Sequence, residues 1–234
     1  MYKRQVLDRL RTDQPQLELY QGYGMTESAA LVSVLMPEDH RRGGDVLQSA
    51  GRPVPGTMVS IQDGTGKELS VGEVGEVCIR GGQFMSEYWR KPEETAEAFR
   101  DGWYHSGDAG RLDADGYLYL VDRTKDMIVT GGENVYSTEV EQAISAHPAV
   151  GQVAVIGVPD DVWGEAVHAV VVRKPGVDVT DTELIEHAKG LIAGYKVPKA
   201  ITFREEALPL SGAMKVLKRE LRAPYWAGTE RAVN

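Results

Sequence analysis

Apolar and polar positions along the 234-residue chain change regime near residue 122. Val6, Leu7 and Leu10 have helical spacing, and Leu17-Glu-Leu-Tyr20 alternates as a strand does. Residues 43–121 carry short strand-like runs separated by turn signals. Val59–Gln62 precedes Asp63-Gly-Thr-Gly66, Gly75–Gly81 is a second run, and Asp101-Gly102 and Asp115-Gly116 mark hairpin turns. One helix interrupts them, with Pro92 in its first turn, Glu93 and Glu94 near its positive end, and Ala96 and Phe99 facing inward. This pattern predicts a small distorted β-barrel.

Beyond residue 122 the period alternates between strand and helix. Tyr117–Val121 and Asp126–Val129 are strand-like runs flanking a polar Asp122-Arg-Thr-Lys-Asp break, followed by Gly131-Gly132. A charged break between two strands suits a domain boundary. Thr138-Glu-Val-Glu141 matches a capping box and opens a helix with Val140, Ala143 and Ile144 inward, ending at Pro148. Val153–Ile156 and Val167–Val172 are strands. Thr180-Asp-Thr-Glu183 is a second capping box, whose helix lines up Leu184, Ala188, Leu191 and Ile192 and stops at Gly194. Ala200–Phe203 is the last strand. The order β-α-β-β-α-β predicts a small α+β domain.

Composition narrows the partners. Net charge is −9 with no basic block, which argues against a nucleic-acid surface. Cys78, the single cysteine, excludes an intrachain disulfide, fits a reducing compartment, and sits in Val77-Cys78-Ile79 as a buried structural thiol. No apolar stretch approaches the roughly 20 residues that span a bilayer, and no signal peptide is visible, so a cytoplasmic protein is expected. Met1-Tyr-Lys-Arg-Gln5 is what GTG TAT AAG AGA CAG encodes when GTG is read as a start. Those bases match the end of a sequencing-library adapter, so residues 1–5 are expected to be an assembly scar.

Several stretches carry chemistry. In Gln21-Gly22-Tyr23-Gly24-Met25-Thr26-Glu27-Ser28 a strand ends, glycines permit a tight turn, and Thr26 or Ser28 can cap a helix whose N-terminus favours phosphate. In Trp103-Tyr-His-Ser-Gly107-Asp108 a short carboxylate follows a glycine and can accept both hydroxyls of a ribose. His105 has no His or Cys partner at metal-ligand spacing and is expected to be structural. Asp113-Ala-Asp115-Gly116 lacks the remaining ligands of a calcium loop and is expected to be a turn. Ser211-Gly212-Ala-Met214-Lys215 ends a flexible loop in a point charge.

From about Leu17 to Arg222 these motifs, in this order and spacing, resemble the adenylate-forming ligases: acyl-CoA synthetases, peptide-synthetase adenylation domains and luciferases. The resemblance implies an α+β chain. It would comprise the end of a large α/β adenylation domain with its β-barrel subdomain (6–122), a hinge (123–125) and a mobile small domain (126–234). It implies that Gly22, Tyr23 and Gly24 border the adenine, that Thr26 contacts the α-phosphate, and that Glu27 helps hold Mg²⁺. Asp108 and Arg123 would bind the ribose of ATP or AMP, and Lys125 would be the pivot. Lys215 would be the catalytic lysine, with Lys218 the competitor and Met214 standing where a glycine is usual. Gly131 and Gly132 would line a channel for the pantetheine of coenzyme A. Trp163, Tyr195 and Lys199 would contact its nucleotide, against the simpler reading of Trp163 as a buried core residue.

The family's Ser/Thr/Gly-rich phosphate loop ending in Pro-Lys-Gly has no counterpart in the sequence. The chain is therefore expected to be the C-terminal part of an AMP-forming ligase of a carboxylic acid, in particular a fatty acid, inactive alone. CoA is favoured over a carrier-protein thiol by Gly131–Glu141 and Pro159–Glu165. A peptide-synthetase-type carrier acceptor and a non-catalytic nucleotide- or CoA-binding remnant are the competing readings.

Overall fold

The computed structural model describes residues 9–10, 12–212 and 214–227. Val6, Leu7 and the proposed scar lie outside them. Contacts divide the chain into two compact units. One runs to Ser106 and takes in Gly110–Leu120, and the other takes Gly107–Ala109 and the chain from Val121 on.

In the first unit, β1 (Gln21–Tyr23), β2 (Ser33–Leu35) and β3 (Arg52–Pro53) form a small antiparallel sheet, with Gly22 opposite Val34. The strand expected at Leu17–Tyr20 starts instead at Gln21; Leu17 and Tyr20 are exposed and belong to no strand, because the antiparallel ladder with β2 begins only there. Helix α1 (Pro37–Arg42) follows β2.

A second sheet is built from β4 (Thr57–Gln62), β5 (Gly75–Gly81), β6 (Phe99–Arg100), β7 (Trp103–Leu112) and β8 (Leu118–Arg123). Its order is β4-β5-β7-β6, with β8 also on β7. This is the curled sheet expected as a distorted barrel. Val77, Ile79, Ile61, Val32 and Leu118 close its core. Asp101 and Gly102 both have positive φ, 51° and 79°, as the two-residue β6–β7 turn requires. At Asp113 the side chain accepts from the amides of Asp115 and Tyr117, so this loop is a turn. Helix α2 (Pro92–Ala98) buries no residue, and Ala96 faces outward rather than inward. Phe99 has already left the helix for β6, where it packs edge-on to Phe84 and Tyr104.

The second unit contains β9 (Ile128–Thr130), β10 (Glu133–Val135), α3 (Ser137–Ser145), β11 (Val150–Asp160), β12 (Gly164–Arg173), α4 (Asp181–Lys189), β13 (Ala200–Arg204) and α5 (Lys218–Arg222). The sheet order is β10-β9-β12-β11, with β13 parallel to β12. One sheet face packs Val155, Val167, Ala169 and Val171 against Val140, Ile144 and Leu184 of the helices. The other packs Ala154, Ile156 and Val170 against Leu208 and Leu221 of the tail. Burial on both faces explains why these strands read as continuous apolar runs rather than alternating ones.

Three expected boundaries move. The strand placed at Asp126–Val129 begins at Ile128, because residues 124–126 make a 3₁₀ turn closed by the Met127 amide on the carbonyls of Arg123 and Thr124. Helix α4 stops at Lys189, which leaves Leu191 exposed. Helix α3 begins at Ser137 and is not capped by Thr138 and Glu141. Its cap comes from outside, where the Asp122 carboxylate accepts from the Thr138 amide and from the hydroxyls of Ser137 and Thr138.

The box at Thr180 forms as expected. Thr180 Oγ1 accepts from the Glu183 amide, and Glu183 accepts from the Thr180 amide and hydroxyl. Those bonds hold the Glu183 carboxyl below its ordinary value of 4.5. Its contribution is therefore present above that value and is lost as pH falls through the depressed one. Thr180→Ala should cost about 1 kcal/mol in urea unfolding, with the loss shrinking under acid conditions.

Candidate functional site

The turn after β1 is set by backbone crowding. A Cβ on Gly24 would lie 1.7 Å from the Ala30 carbonyl oxygen, so only glycine lets Tyr23–Ala30 fold back on itself. Thr26–Ser28 forms a single 3₁₀ turn rather than the expected longer helix. Ser28 closes it, donating to the Met25 carbonyl and accepting the Met25 amide. Thr26 is exposed, and Tyr23 and Glu27 are half-buried.

Glu27 is held in place by a residue that sequence reasoning missed. Tyr88 Oη donates to Glu27 Oε1 at 2.9 Å and lies 3.4 Å from Tyr104 Oη. Burial raises the Tyr88 phenol, with Glu27 adding to the effect, so it stays a proton donor at neutral pH. The Met85 amide also donates to the Glu27 carbonyl. A carboxylate oriented through one oxygen is a suitable donor for a hard cation.

In the second unit, Asp108 on β7 and Arg123 at the end of β8 come together, Nε to Oδ1 at 3.4 Å. Gly107, at φ 67°, precedes Asp108. Asp108 is the more buried partner, and half the Arg123 side chain stays open. The pair can offer acceptors and donors to a vicinal diol at once.

Gly131 accommodates an indole. A Cβ there would lie 2.6 Å from Trp163 Cε3, and the Gly131 amide donates to the Trp163 carbonyl. Trp163 is 51% exposed, which overturns its reading as a buried core residue. Lys199 Nζ sits 5.3 Å from the Trp163 ring centroid and 3.1 Å from Asp160. The Trp163 amide, then Lys199, hold the Asp160 carboxyl below its usual value. Tyr195 is half exposed, with Lys196 Nζ 5.6 Å from its ring centroid; a Cβ on Gly132 would meet nothing within 4 Å.

Lys215 is exposed on a loop closed by the Leu210–Val216 bridge and by the Ser211 amide on the Lys215 carbonyl. Lys218, its competitor, is buried against Glu141 at 2.6 Å. The spacing after Gly212 favours Lys215, and of the two lysines it is Lys215 whose side chain is exposed. Met214 has φ 59°, the left-handed conformation that glycine adopts without cost. Met214→Gly relieves about 1 kcal/mol of strain and adds a similar backbone entropy cost. Thermal unfolding should show the two cancelling, whereas Met214→Val should destabilise.

His105 does gain partners, because strand pairing brings Glu76 Oε2 to 2.8 Å and Cys78 Sγ to 3.5 Å of Nδ1. Glu76 also faces Arg100, and the Cys78 thiol is pushed up to about 12 by burial and then by Glu76. The three form a hydrogen-bonded set around a protonated, inert thiol. No helix among the described residues is long and apolar enough to cross a membrane.

The pattern of AMP-binding enzymes matches residues 2–89, and that of the AMP-binding enzyme C-terminal domain matches residues 139–215. The chain is 43% identical to a fatty acid–[acyl-carrier-protein] ligase of Streptomyces coeruleorubidus, over 93% of this chain and 42% of that protein. It is 46% identical to a feruloyl-CoA synthase of an Amycolatopsis species, over 89% and 42%. Its fold matches the o-succinylbenzoate-CoA synthetase of Bacillus subtilis in complex with an acyl-adenylate, with TM-score 0.84, 33% identity, and coverage of 93% and 43%. The same synthetase also matches in complex with ATP and magnesium ion. The chain thus spans less than half the length of the proteins it matches.

Proposed function

The chain belongs to the AMP-binding enzyme family, and from that membership we propose that it is part of an AMP-forming acid–thiol ligase of the cytoplasm. In that reaction a carboxylate oxygen attacks the α-phosphorus of ATP and pyrophosphate leaves, giving acyl-AMP. A thiol then attacks the acyl carbon and AMP leaves. The observation that carries the reading is the Asp108–Arg123 pair on adjoining strands, a diol-binding arrangement at the place where the chain enters its second unit.

Each residue has a task that its surroundings support. Tyr23 presents a flat face to adenine, with the tight turn at Gly22 and Gly24 setting its position, and Asp108 with Arg123 takes the ribose. Thr26 offers a hydroxyl to the α-phosphate. Glu27, steadied by Tyr88, would hold Mg²⁺ with the substrate phosphates; when bound, that ion neutralises phosphate charge. The Lys215 ammonium meets the negative charge that gathers as pyrophosphate departs, a better fit to the transition state than to the ground state. Lys125 takes the hinge position of the 123–125 segment. The Gly131-Gly132 turn then serves the thiol arm of CoA, with Trp163 and Lys199 beside its nucleotide and Tyr195 a more distant contact.

CoA is the acceptor we favour, as in the feruloyl-CoA relative, and a fatty acid is the favoured acid. The carrier-protein relative keeps a carrier thiol as the second reading. Full-length enzyme given ATP, fatty acids and either thiol should yield AMP with the acyl-CoA; ADP as product would overturn the assignment. The 234-residue chain alone should give no acid-dependent exchange of pyrophosphate into ATP, since its sequence holds no Ser/Thr/Gly-rich phosphate loop.

A further inference from the structure

The C-terminal tail of the second unit carries two cations that are turned inward. Lys218, at the start of α5, donates to Ser137 Oγ and pairs with Glu141, whose other recorded partner is the Val155 amide. Arg222, at the end of α5, donates to the backbone carbonyl of Lys125 at 3.0 Å and pairs with Asp126 at 3.4 Å. Arg222 and Asp126 are each only 14% exposed, so water screens this pair little.

Between the two cations, Leu221 packs with Ala154, Ile156 and Val170 of the sheet. Just before them, the Leu217 amide donates to the Pro209 carbonyl at the neck of the Lys215 loop, and Val216 bridges Leu210. Helix α5 is therefore continuous with the loop neck on one side and bonded to the residue after Arg123-Thr124 on the other.

We infer that Arg222 and Lys218 are positioning residues that tie the Lys215 loop to the pivot as one lever. The role of Lys215 within it rests on the ligase reading above. The peptide plane between Lys125 and Asp126 is fixed to α5 through its carbonyl. Movement of the Lys125–Asp126 peptide is then passed to α5 and the neck of the Lys215 loop as one piece, through the Arg222 bonds and the Leu217–Pro209 and Val216–Leu210 contacts. Without the clamp, the segment 125–127 would yield first and the lysine would arrive with poorer aim.

Hydrogen exchange on the whole chain tests the mechanical part without any ligand. In Arg222→Met the Met127 amide, which donates to the Arg123 and Thr124 carbonyls, should exchange about tenfold faster, the loss expected for a charge-assisted bond. Amides of β11, β12 and α4 should stay unchanged, and Arg222→Lys should restore part of the protection. Unchanged exchange at Met127, or equal acceleration throughout the second unit, overturns the inference. If Arg222→Met does not fold, Asp126→Asn removes the ion pair and leaves α5 packed, and the same pattern decides. In the full-length ligase, Arg222→Met should lower kcat for adenylation about tenfold with KM for ATP unchanged, and lysine should partly rescue it. A wild type that forms no adenylate would defeat the proposed function and leave the exchange result standing.

Discussion

Lys215→Ala in the full-length ligase is expected to slow acyl-adenylate formation by about 100- to 1000-fold, the usual cost of removing one preorganised charge from a transition state. Single-turnover formation of acyl-AMP is the direct measurement. The neighbouring Lys218 is no ready substitute. Lys218 is three residues on, but its ammonium is buried against Glu141 and Ser137. Pulling it out would leave the Glu141 carboxylate, already raised by burial, without its counter-ion. Lys215 itself is exposed, so the substitution should leave thermal unfolding unchanged. Normal adenylation by the alanine variant would remove Lys215 from the mechanism.

Gly24→Ala is expected to damage the first unit more than any other single methyl added in the nucleotide turn. The new Cβ would meet the Ala30 carbonyl oxygen at 1.7 Å, its carbon at 2.6 Å and the Leu31 Cα at 2.9 Å. All three are backbone atoms, so no rotamer change relieves the clash and the turn has to open. The cost should be about 3 kcal/mol, the upper end for overpacking, with weakened binding of an adenylate analogue. Gly22→Ala is the control, because its closest neighbour is the end of the Leu31 side chain at 2.8 Å, which can swing away. Equal losses for the two variants in calorimetry would contradict the geometry.

Much of the candidate site was legible because its parts are local. The Thr180–Glu183 box, the Asp101-Gly102 hairpin and the glycine-bounded Tyr23–Thr26 turn each depend on residues within a few positions of one another. Local pattern failed where an end was decided from far away. Thr138–Glu141 looked like a self-capping helix start, yet Asp122 caps α3 from 16 residues upstream and Glu141 turns to Lys218. Trp163 looked like core, yet it lies against the bare face of Gly131, with Lys199 over its ring, and stays 51% exposed. Expectations about Leu17–Tyr20 and Ala96 erred in the same way, since apolar spacing states which residues share a face and not whether anything covers it.

By itself the sequence determined the order of strands and helices, the placement of turns, and the residue types gathered in the candidate motifs. Those are properties of neighbouring residues, whose spacing sets which torsions and which faces are available. Tertiary structure alone decided which side chains are held and which are free to act. Tyr88 reaches Glu27 across 61 positions and Arg222 reaches the Lys125 carbonyl across 97. Such partners meet only after chain folding has removed the water between them, and the same packing pairs Lys218 with Glu141 while leaving Lys215 exposed.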